Sequence, residues 1–322
     1  MTFDQIIGHD RQKEFLRRTL AHNRLAHAYL FEGPQGVGKR LTALALARTV
    51  FCAEATGCGD CIPCRKIDHN NHPDLHILEP DGKQIKIEQI RNLQKTLAFK
   101  PVESTRRICL IDQADKMNPA AANSLLKTLE EPSAETLILL ISARPEALLT
   151  TVLSRCQRLP FARLPQSCIE STLIEQRGYD QKEAHIIAAL ADGSFQMALD
   201  RDPTIYLERR IEILKQVTAL SAGSILPLME LAKELSTEKE TIPQTLELLQ
   251  AFYRDLLLYR HNRPLESLIN IDLQEKIRRI AAREDNGSIL NKLDALNECQ
   301  RNHERNVNPQ LNLEVLLLRL AA

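Results

Sequence analysis

Residues 27–39 have the sequence HAYLFEGPQGVGK, and they indicate the fold of the first half of the chain. The apolar run 27–32 predicts a β-strand that ends at Gly33. The next seven residues fit the pattern G-x-x-x-x-G-K, in which glycines let backbone N–H groups turn toward phosphate oxygens. The Leu- and Ala-rich run 39–53 predicts the helix whose N-terminus favours an anion. The sequence therefore predicts a phosphate-binding loop between a strand and a helix.

The rest of the first half alternates between strand-like and helix-like runs. Further strands, rich in Ile and Leu, are predicted at 75–78, 107–112 and 136–142, with helices at 87–99 and 120–129. Such alternation favours βαβ units and a parallel sheet. We therefore expect an α/β fold for residues 1–164.

Beyond residue 165 the pattern changes to helices alone. They are predicted at 166–176, 181–192, 204–220, 225–235 and 245–259. A last helix follows Asn308, which can cap it, and Pro309, which fits a first turn. With a boundary at the dipeptide Asp202-Pro203, we expect an α/β domain at 1–164, a small helical domain at 165–203 and an all-α domain at 204–322.

Composition limits the classes of function. Lys and Arg total 42, equal to the total of Asp and Glu, whereas a protein that grips DNA alone usually carries a basic excess. Any contact with DNA is therefore expected to be local or shared with partners. No apolar run is long enough to span a membrane, and the N-terminus lacks the basic and apolar regions of a secretory signal. The chain is expected in the cytoplasm.

The phosphate-binding loop departs from an active nucleotide site at two places. Lys39 would reach the β- and γ-phosphates, but the next residue, which should carry the hydroxyl that ligates Mg²⁺, is Arg40. The strand 107–112 ends in Asp112, at a position typical of the aspartate that orients Mg²⁺. Gln113 follows it, and a neutral amide cannot act as a base. The sequence predicts a degenerate nucleotide site, with affinity for ATP and Mg²⁺ weak or absent, formed by Gly33, Gly36, Gly38, Lys39 and Asp112.

Four of the eight cysteines lie within residues 52–64. In a reducing compartment clustered cysteines are more often metal ligands than disulfides, and four thiolates complete the tetrahedral shell of a structural Zn²⁺. Free thiols or a redox pair are the alternatives, but a redox pair would leave two cysteines unexplained. His69 and His72 exceed the ligand count and are expected at the surface. The predicted zinc ligands are Cys52, Cys58, Cys61 and Cys64.

Three later segments follow the second strand of the nucleotide site in a fixed order. They are 123–132 (NSLLKTLEEP), the apolar strand ending at Ser142, and Ser154-Arg155-Cys156. This order, together with the cysteine insertion after the loop helix, resembles the clamp-loader branch of the AAA+ proteins. The ending 306–320 (NVNPQLNLEVLLLRL) is similar to the C-terminal helix of its bacterial delta-prime members. The resemblance covers nearly the whole chain, most specifically 27–161 and 306–320.

The resemblance implies roles for several residues. Arg155 matches the arginine finger, which reaches into the ATP site of a neighbouring subunit and neutralises charge on the γ-phosphate. Ser142 matches the sensor 1 position. Gln196 stands where the sensor 2 arginine is found and cannot replace its charge. In active members a glutamate stands at the position of Gln113. Metal ligand, base and sensor are thus all replaced, which a non-catalytic subunit of the delta-prime type would tolerate.

The same resemblance implies an architecture and partners. The three domains become a RecA-like AAA+ domain with a zinc module at 52–64, a helical lid, and a helical collar through which subunits assemble. The implied partners are the ATPase gamma or tau subunits and delta in a hetero-pentamer, and, through that complex, the sliding clamp and primed DNA. The chain is expected to be a subunit of the bacterial DNA-directed DNA polymerase holoenzyme, a nucleotidyltransferase, at the nucleoid. We expect neither ATPase nor polymerase activity of its own.

Three alternatives remain open. The first is an active gamma/tau-like clamp-loader ATPase, against which the three replacements argue. The second is a zinc-containing nucleic-acid-binding protein outside replication. Zero net charge, and the lack of alternating aromatic and basic residues at 52–64, argue against it. A helicase loader or another AAA+ remodelling protein is the third.

Overall fold

The computed structural model describes residues 2–132, 135–199, 203–221, 223 and 225–321, without the side chains of 203–205. The chain divides into two compact units. The first is Met1–Cys168 with Gly193–Gln196, and the second is Ile169–Asp192 with Met197–Ala322. The second unit holds most of the residues predicted as a lid together with those predicted as a collar, so the division into three domains stays a prediction. Asp202, at its second boundary, lies outside the described residues.

The first unit is built on a five-stranded sheet with the order β2-β3-β4-β1-β5, in which every pairing is parallel. This confirms the predicted α/β fold and the four predicted strands. β5 was not predicted. The strands are β1 Ala28–Glu32, β2 Leu75–Leu78, β3 Arg107–Ile111, β4 Thr136–Ser142 and β5 Gln157–Pro160.

Successive residues of the central strands enter two separate cores, one on each face of the sheet. Tyr29 and Phe31 of β1 pack on one face, whereas Ala28 and Leu30 pack on the other. All seven residues of β4 are buried. A parallel sheet covered on both faces needs apolar side chains at every position, which explains why these strands are continuous apolar runs.

Helices cover both faces of this sheet. α2 supplies buried side chains to the core that contains Phe31, and α4 and α5 supply them to the opposite core. Asn118 caps α5, because its side chain accepts a hydrogen bond from the N–H of Ala121. The helices of this unit, up to the point where the second unit begins, are α1 Asp10–Ala21, α2 Lys39–Phe51, α3 Ile62–Asp68, α4 Ile87–Leu97, α5 Pro119–Glu130 and α6 Thr150–Leu153.

Most of the remaining described α-helices contribute buried side chains to one apolar core in the second unit. Asn308 Oδ1 accepts a hydrogen bond from the N–H of Leu311 at 3.2 Å, which confirms the predicted cap of the last helix. None of the described helices is both long and apolar enough to cross a membrane. The helices are α7 Gln166–Arg177, α8 Gln181–Leu190, α9 Phe195–Leu199, α10 Pro203–Ala219, α11 Ile225–Thr237, α12 Ile242–Arg260, α13 Gln274–Ala281, α14 Asn286–Glu304 and α15 Pro309–Ala321.

Candidate functional site

The parallel sheet gathers several predicted site residues at one edge. Gly33 follows β1, Asp112 follows β3, and Ser142 ends β4, which lies between those two strands. Glu79 follows β2 at the same edge. Because the carboxyl ends of parallel strands meet there, open α/β sheets bind ligands at this edge. The structure therefore brings the phosphate-binding loop close to the strand that ends at Asp112, the two parts of the predicted nucleotide site.

The phosphate-binding loop, residues 33–39, is called the glycine loop below. Its last residue, Lys39, turns its side chain back toward the loop. Its Nζ donates to the carbonyl oxygens of Gly33 and Pro34, at 2.6 and 2.5 Å. Burial lowers the pKa of Lys39 to about 8, although Asp112 and Asp115 act in the opposite direction. The Lys39 ammonium therefore lies beside the loop, where backbone carbonyls accept its hydrogen bonds.

Arg40 lies beside Asp112, the residue that ends the second predicted motif. Its Nη1 lies 2.8 Å from Asp112 Oδ2 and also bonds to the carboxylate of Glu79. Burial alone would lower the pKa of Arg40, but the hydrogen bonds to Glu79 and Asp112 outweigh it and raise that pKa. Asp112 Oδ1 accepts the N–H of Gln113 at 2.9 Å. The donor set here holds a guanidinium at Asp112, the carboxylate predicted to orient Mg²⁺, and lacks the hydroxyl, so it does not fit Mg²⁺.

Asp115 is a site residue that the motifs did not indicate. Its Oδ1 accepts a hydrogen bond from Ser142 Oγ at 3.0 Å, and its Oδ2 lies 3.4 Å from Nε of Arg144. Its side chain is nearly fully buried. The available signal was a second acidic residue three positions after Asp112. Asp115 fixes the hydroxyl at the predicted sensor 1 position.

The predicted sensor 2 segment, Gly193–Gln196, packs directly on the glycine loop. The N–H of Gln196 donates to the carbonyl of Gly36 at 3.1 Å. Gly36 has φ +76°, and a Cβ there would lie 2.0 Å from Ser194 Oγ, so this approach requires glycine. Gln196 therefore reaches the loop as the resemblance implies, but through its backbone and without a charge.

Arg155 lies near the amino ends of the strands, opposite to the carboxyl ends where the other predicted site residues meet. It precedes β5, whose first residue, Gln157, is paired with Tyr29 of β1. Tyr29 is four residues before Gly33, which is about 13 Å along a strand. The Arg155 guanidinium bonds to Glu130 at 2.7 Å and to the carbonyl of Thr151 at 3.0 Å. The structure thus separates Arg155 from the chain's own glycine loop.

The four predicted cysteine ligands converge. α2 ends immediately before Cys52, Cys61 precedes α3, and Cys64 lies in the first turn of α3. All four sulfur atoms lie within 4.8 Å of one another. Cys52 Sγ is 3.6 Å from Cys58 Sγ and 4.0 Å from Cys61 Sγ. Sulfurs bound tetrahedrally to zinc at about 2.3 Å are about 3.8 Å apart. The donor set fits a tetrahedral metal ion.

The thiols differ in acidity. Burial would raise the pKa of Cys52, but N–H groups of Cys58, Glu54 and Thr56 lower it to about 5. Burial raises the pKa of Cys64 to about 12. A metal ligand must be the thiolate, so metal binding would expel the Cys64 proton. The affinity for metal should therefore decrease as the pH falls.

The surroundings tie the cysteine cluster to α2. Buried Arg48 of α2 forms an ion pair with Asp68 of α3. A Cβ on Gly57, in the cysteine loop, would lie 3.3 Å from Thr49 Oγ1. His69 is exposed as predicted, but the surface position predicted for His72 is wrong: it is buried and stacks on Phe51, with ring centroids 4.1 Å apart. An aromatic partner on α2 explains why this imidazole is inside.

Comparisons with known proteins agree along both halves of the chain. The family described as DNA polymerase III, delta subunit, matches residues 8–165, and that described as its C terminal matches 206–322. DNA polymerase III subunit delta' of Bacillus subtilis is 36% identical, covering 96% of this chain and 95% of its own. The subunit of that name from Pseudomonas aeruginosa is 31% identical, covering 92% of each chain. DNA polymerase III subunit tau of Bacillus subtilis is 28% identical, covering 99% of this chain and 61% of its own.

Proposed function

The chain belongs to the DNA polymerase III delta-prime family of clamp-loader subunits, and on that basis we propose that it assists ATP hydrolysis in a neighbouring subunit and performs none itself. The neighbour is a gamma or tau subunit, and the complex is a hetero-pentamer that also contains delta. It loads the sliding clamp on primed DNA. The polymerase activity belongs to the holoenzyme, in the bacterial cytoplasm, and not to this chain.

The position of Arg155 is the observation that carries this proposal. Arg155 lies near the amino end of β5, whereas the glycine loop lies at the carboxyl end of β1. An arginine side chain cannot span that separation. A role for Arg155 in ATP hydrolysis therefore requires a nucleotide held by another subunit, which is what an arginine finger uses.

The contacts of Arg155 suit a side chain that can be exchanged between partners. Its side chain is 35% exposed, and its carboxylate partner, Glu130, is 48% exposed. Exposed ion pairs contribute about 0.2–1 kcal/mol, so leaving Glu130 costs little. A γ-phosphate offers oxygens that match the planar fork of the guanidinium. Glu130 thus holds the finger at the edge of the domain until a neighbour's nucleotide replaces it.

The isolated chain is expected to show no ATP turnover above background. Gln113 cannot polarise the attacking water, and Arg40 stands at the carboxylate of Asp112 where Mg²⁺ would be oriented. A phosphate-release assay with the purified chain, compared with Lys39→Ala, measures this. Turnover that Lys39→Ala abolishes would favour an active gamma/tau-like ATPase instead.

The zinc-containing nucleic-acid-binding alternative has less support. The cysteine module packs on α2 through Arg48 and Asp68, as a structural site does. We propose Zn²⁺ as the ion because four thiolates in a tetrahedron are its common structural shell. Tight binding of duplex DNA by the isolated chain, lost on removal of zinc, would favour the alternative.

A row of exposed apolar residues on α15 suits assembly with other subunits. Leu311, Val315 and Leu318 are spaced by four and three residues, so they share one helix face, and all are exposed. Leu311→Glu with Val315→Glu is expected to weaken binding to tau and delta at least tenfold, because it places charges where apolar surface would be buried. Surface plasmon resonance measures the affinity.

The matched control for this row is Leu290→Glu, which alters an exposed leucine on α14 of the same unit. It should leave the affinity for tau and delta within about twofold. An equal loss in the control, or no loss in the α15 variant, would contradict assembly through this face.

A further inference from the structure

The AAA+ fold implies a nucleotide with Mg²⁺, but three cationic side chains already lie near three carboxylates at the carboxyl ends of the strands beside the glycine loop. The cations are Lys39, Arg40 and Arg144, and the carboxylates are Glu79, Asp112 and Asp115. Charges of opposite sign therefore cancel at the loop without any ion or phosphate. A site that awaits a metal–nucleotide would instead hold a carboxylate and a hydroxyl ready for the cation.

We infer that the guanidinium of Arg40 takes the place of the divalent cation at this loop and closes the site to Mg²⁺–nucleotide. In P-loop proteins the ion lies between a hydroxyl on the first turn of the loop helix and a carboxylate after a neighbouring strand. Here the residue at the hydroxyl position carries the positive charge itself. It contacts both Asp112, after β3, and Glu79, after β2.

The burial of Asp112 explains why Arg40 belongs to the site and not to the solvated surface. The Asp112 side chain is only 12% exposed, so without a cation its charge would be poorly hydrated. The Arg40 side chain is 42% exposed, which leaves room for a smaller residue and a hydrated ion in its place. The guanidinium thus satisfies a carboxylate that otherwise needs a metal.

The glycine loop is closed from a second side by the chain itself. The carbonyl of Gly36 accepts the N–H of Gln196, and the carbonyl of Val37 lies 2.8 Å from Nε2 of His9. Lys39 bonds to two further carbonyls of the loop. The glycine loop is therefore held to the segment Gly193–Gln196 and to Asp112 by contacts that need no nucleotide. Under the proposed function the nucleotide is held by a neighbouring subunit, so the loop of this chain has no need to open.

Arg40→Thr tests the inference, because threonine removes the guanidinium and restores the hydroxyl. The probe is a fluorescent ATP analogue titrated with Mg²⁺ or with EDTA. For the natural chain we expect no improvement in affinity when Mg²⁺ is present. For Arg40→Thr we expect affinity at least tenfold higher with Mg²⁺ than with EDTA, without turnover, because Gln113 remains. Mg²⁺ alone should raise the melting temperature of Arg40→Thr and not that of the natural chain.

Two further variants separate the charge from the hydroxyl. Arg40→Met removes the cation without supplying a ligand, so it should melt at a lower temperature and gain no Mg²⁺-dependent affinity. Arg40→Lys keeps a cation and should melt near the natural chain. If Arg40→Thr does not fold, this pair decides: equal melting temperatures for Met and Lys would overturn the inference.

Mg²⁺-dependent nucleotide binding by the natural chain would also overturn it, as would Arg40→Thr behaving like Arg40→Met. Binding to tau and delta distinguishes failure of this inference from failure of the proposed function. All three variants should still bind tau and delta, because Arg40 lies at the glycine loop of the first unit and the α15 row lies in the second.

Discussion

Replacing Arg155 with alanine is expected to abolish stimulated ATP hydrolysis at one site of a reconstituted clamp loader while leaving assembly intact. An arginine finger contributes on the order of 10³–10⁵ to the rate at the site it serves. The other sites keep their own fingers, so the total hydrolysis rate should fall only partly. Clamp loading should fall more steeply if that site gates the others. DNA- and clamp-stimulated hydrolysis, and loading, are measured with the variant in an otherwise natural complex.

Two companion variants test whether the guanidinium itself matters. Arg155→Lys should rescue poorly, because an ammonium is a point charge without the bidentate geometry of the fork. Glu130→Gln breaks the ion pair of the isolated chain but keeps the finger, so stimulated hydrolysis should persist. If Glu130→Gln reproduced the loss seen with Arg155→Ala, Arg155 would have only a structural role.

Arg158→Ala is the matched control for the arginine finger. Arg158 lies on the edge strand β5, is exposed, and pairs with Glu32 at 2.8 Å. Its removal should leave stimulated hydrolysis and loading unchanged. Wild-type activity in Arg155→Ala, with assembly intact, would show that Arg155 is a surface charge and that the trans-acting role is wrong.

Loss of zinc should produce the largest effect on stability. Binding to the folded state alone stabilises a protein by about 4 kcal/mol when free ligand exceeds its dissociation constant a thousandfold. For a unit of this size that corresponds to a melting temperature roughly 10 °C lower after chelation. Cys64→Ser should do the same, because it removes one of four ligands and the buried thiol nearest the start of α3. Calorimetry with and without chelator measures the shift.

Metal analysis supplies the stoichiometry and the control. The natural chain should carry one zinc per molecule. Cys168→Ser, which alters a cysteine outside the cluster, should keep that zinc and its melting temperature. Carefully purified protein without zinc, or with a melting temperature insensitive to chelation, would show that the four cysteines do not hold a structural zinc ion.

The sheet could be predicted from sequence because its central strands are buried on both faces. The run 137–141 is apolar at every position, and the predicted strand boundaries were correct to within one residue. β5 escaped prediction because it is an edge strand whose first two residues, Gln157 and Arg158, are exposed. α14 escaped because its sequence is rich in polar residues and its buried face includes Lys292. Exposure at an edge removes the apolar pattern by which a strand is recognised.

The candidate site was predictable where a motif marks it and not elsewhere. Local spacing singled out Lys39, Asp112 and the four cysteines, and it showed that Arg40 lacks a hydroxyl. It could not show that Arg40 binds Glu79, because the two are joined only when β2 enters the sheet beside β3. Asp115 was missed for the same reason, since its partner Ser142 lies on another strand. Contacts between strands depend on topology, which local spacing does not contain.

Native mass spectrometry of the purified chain mixed with the gamma or tau and delta subunits of the same organism tests whether the chain assembles into a clamp loader. We expect a five-subunit complex that contains one copy of this chain. The same mixture should load the sliding clamp on primed DNA, and omission of this chain should abolish loading. Failure of the chain to enter any complex with those subunits, or full loading in its absence, would show that the chain is not a working part of the clamp loader.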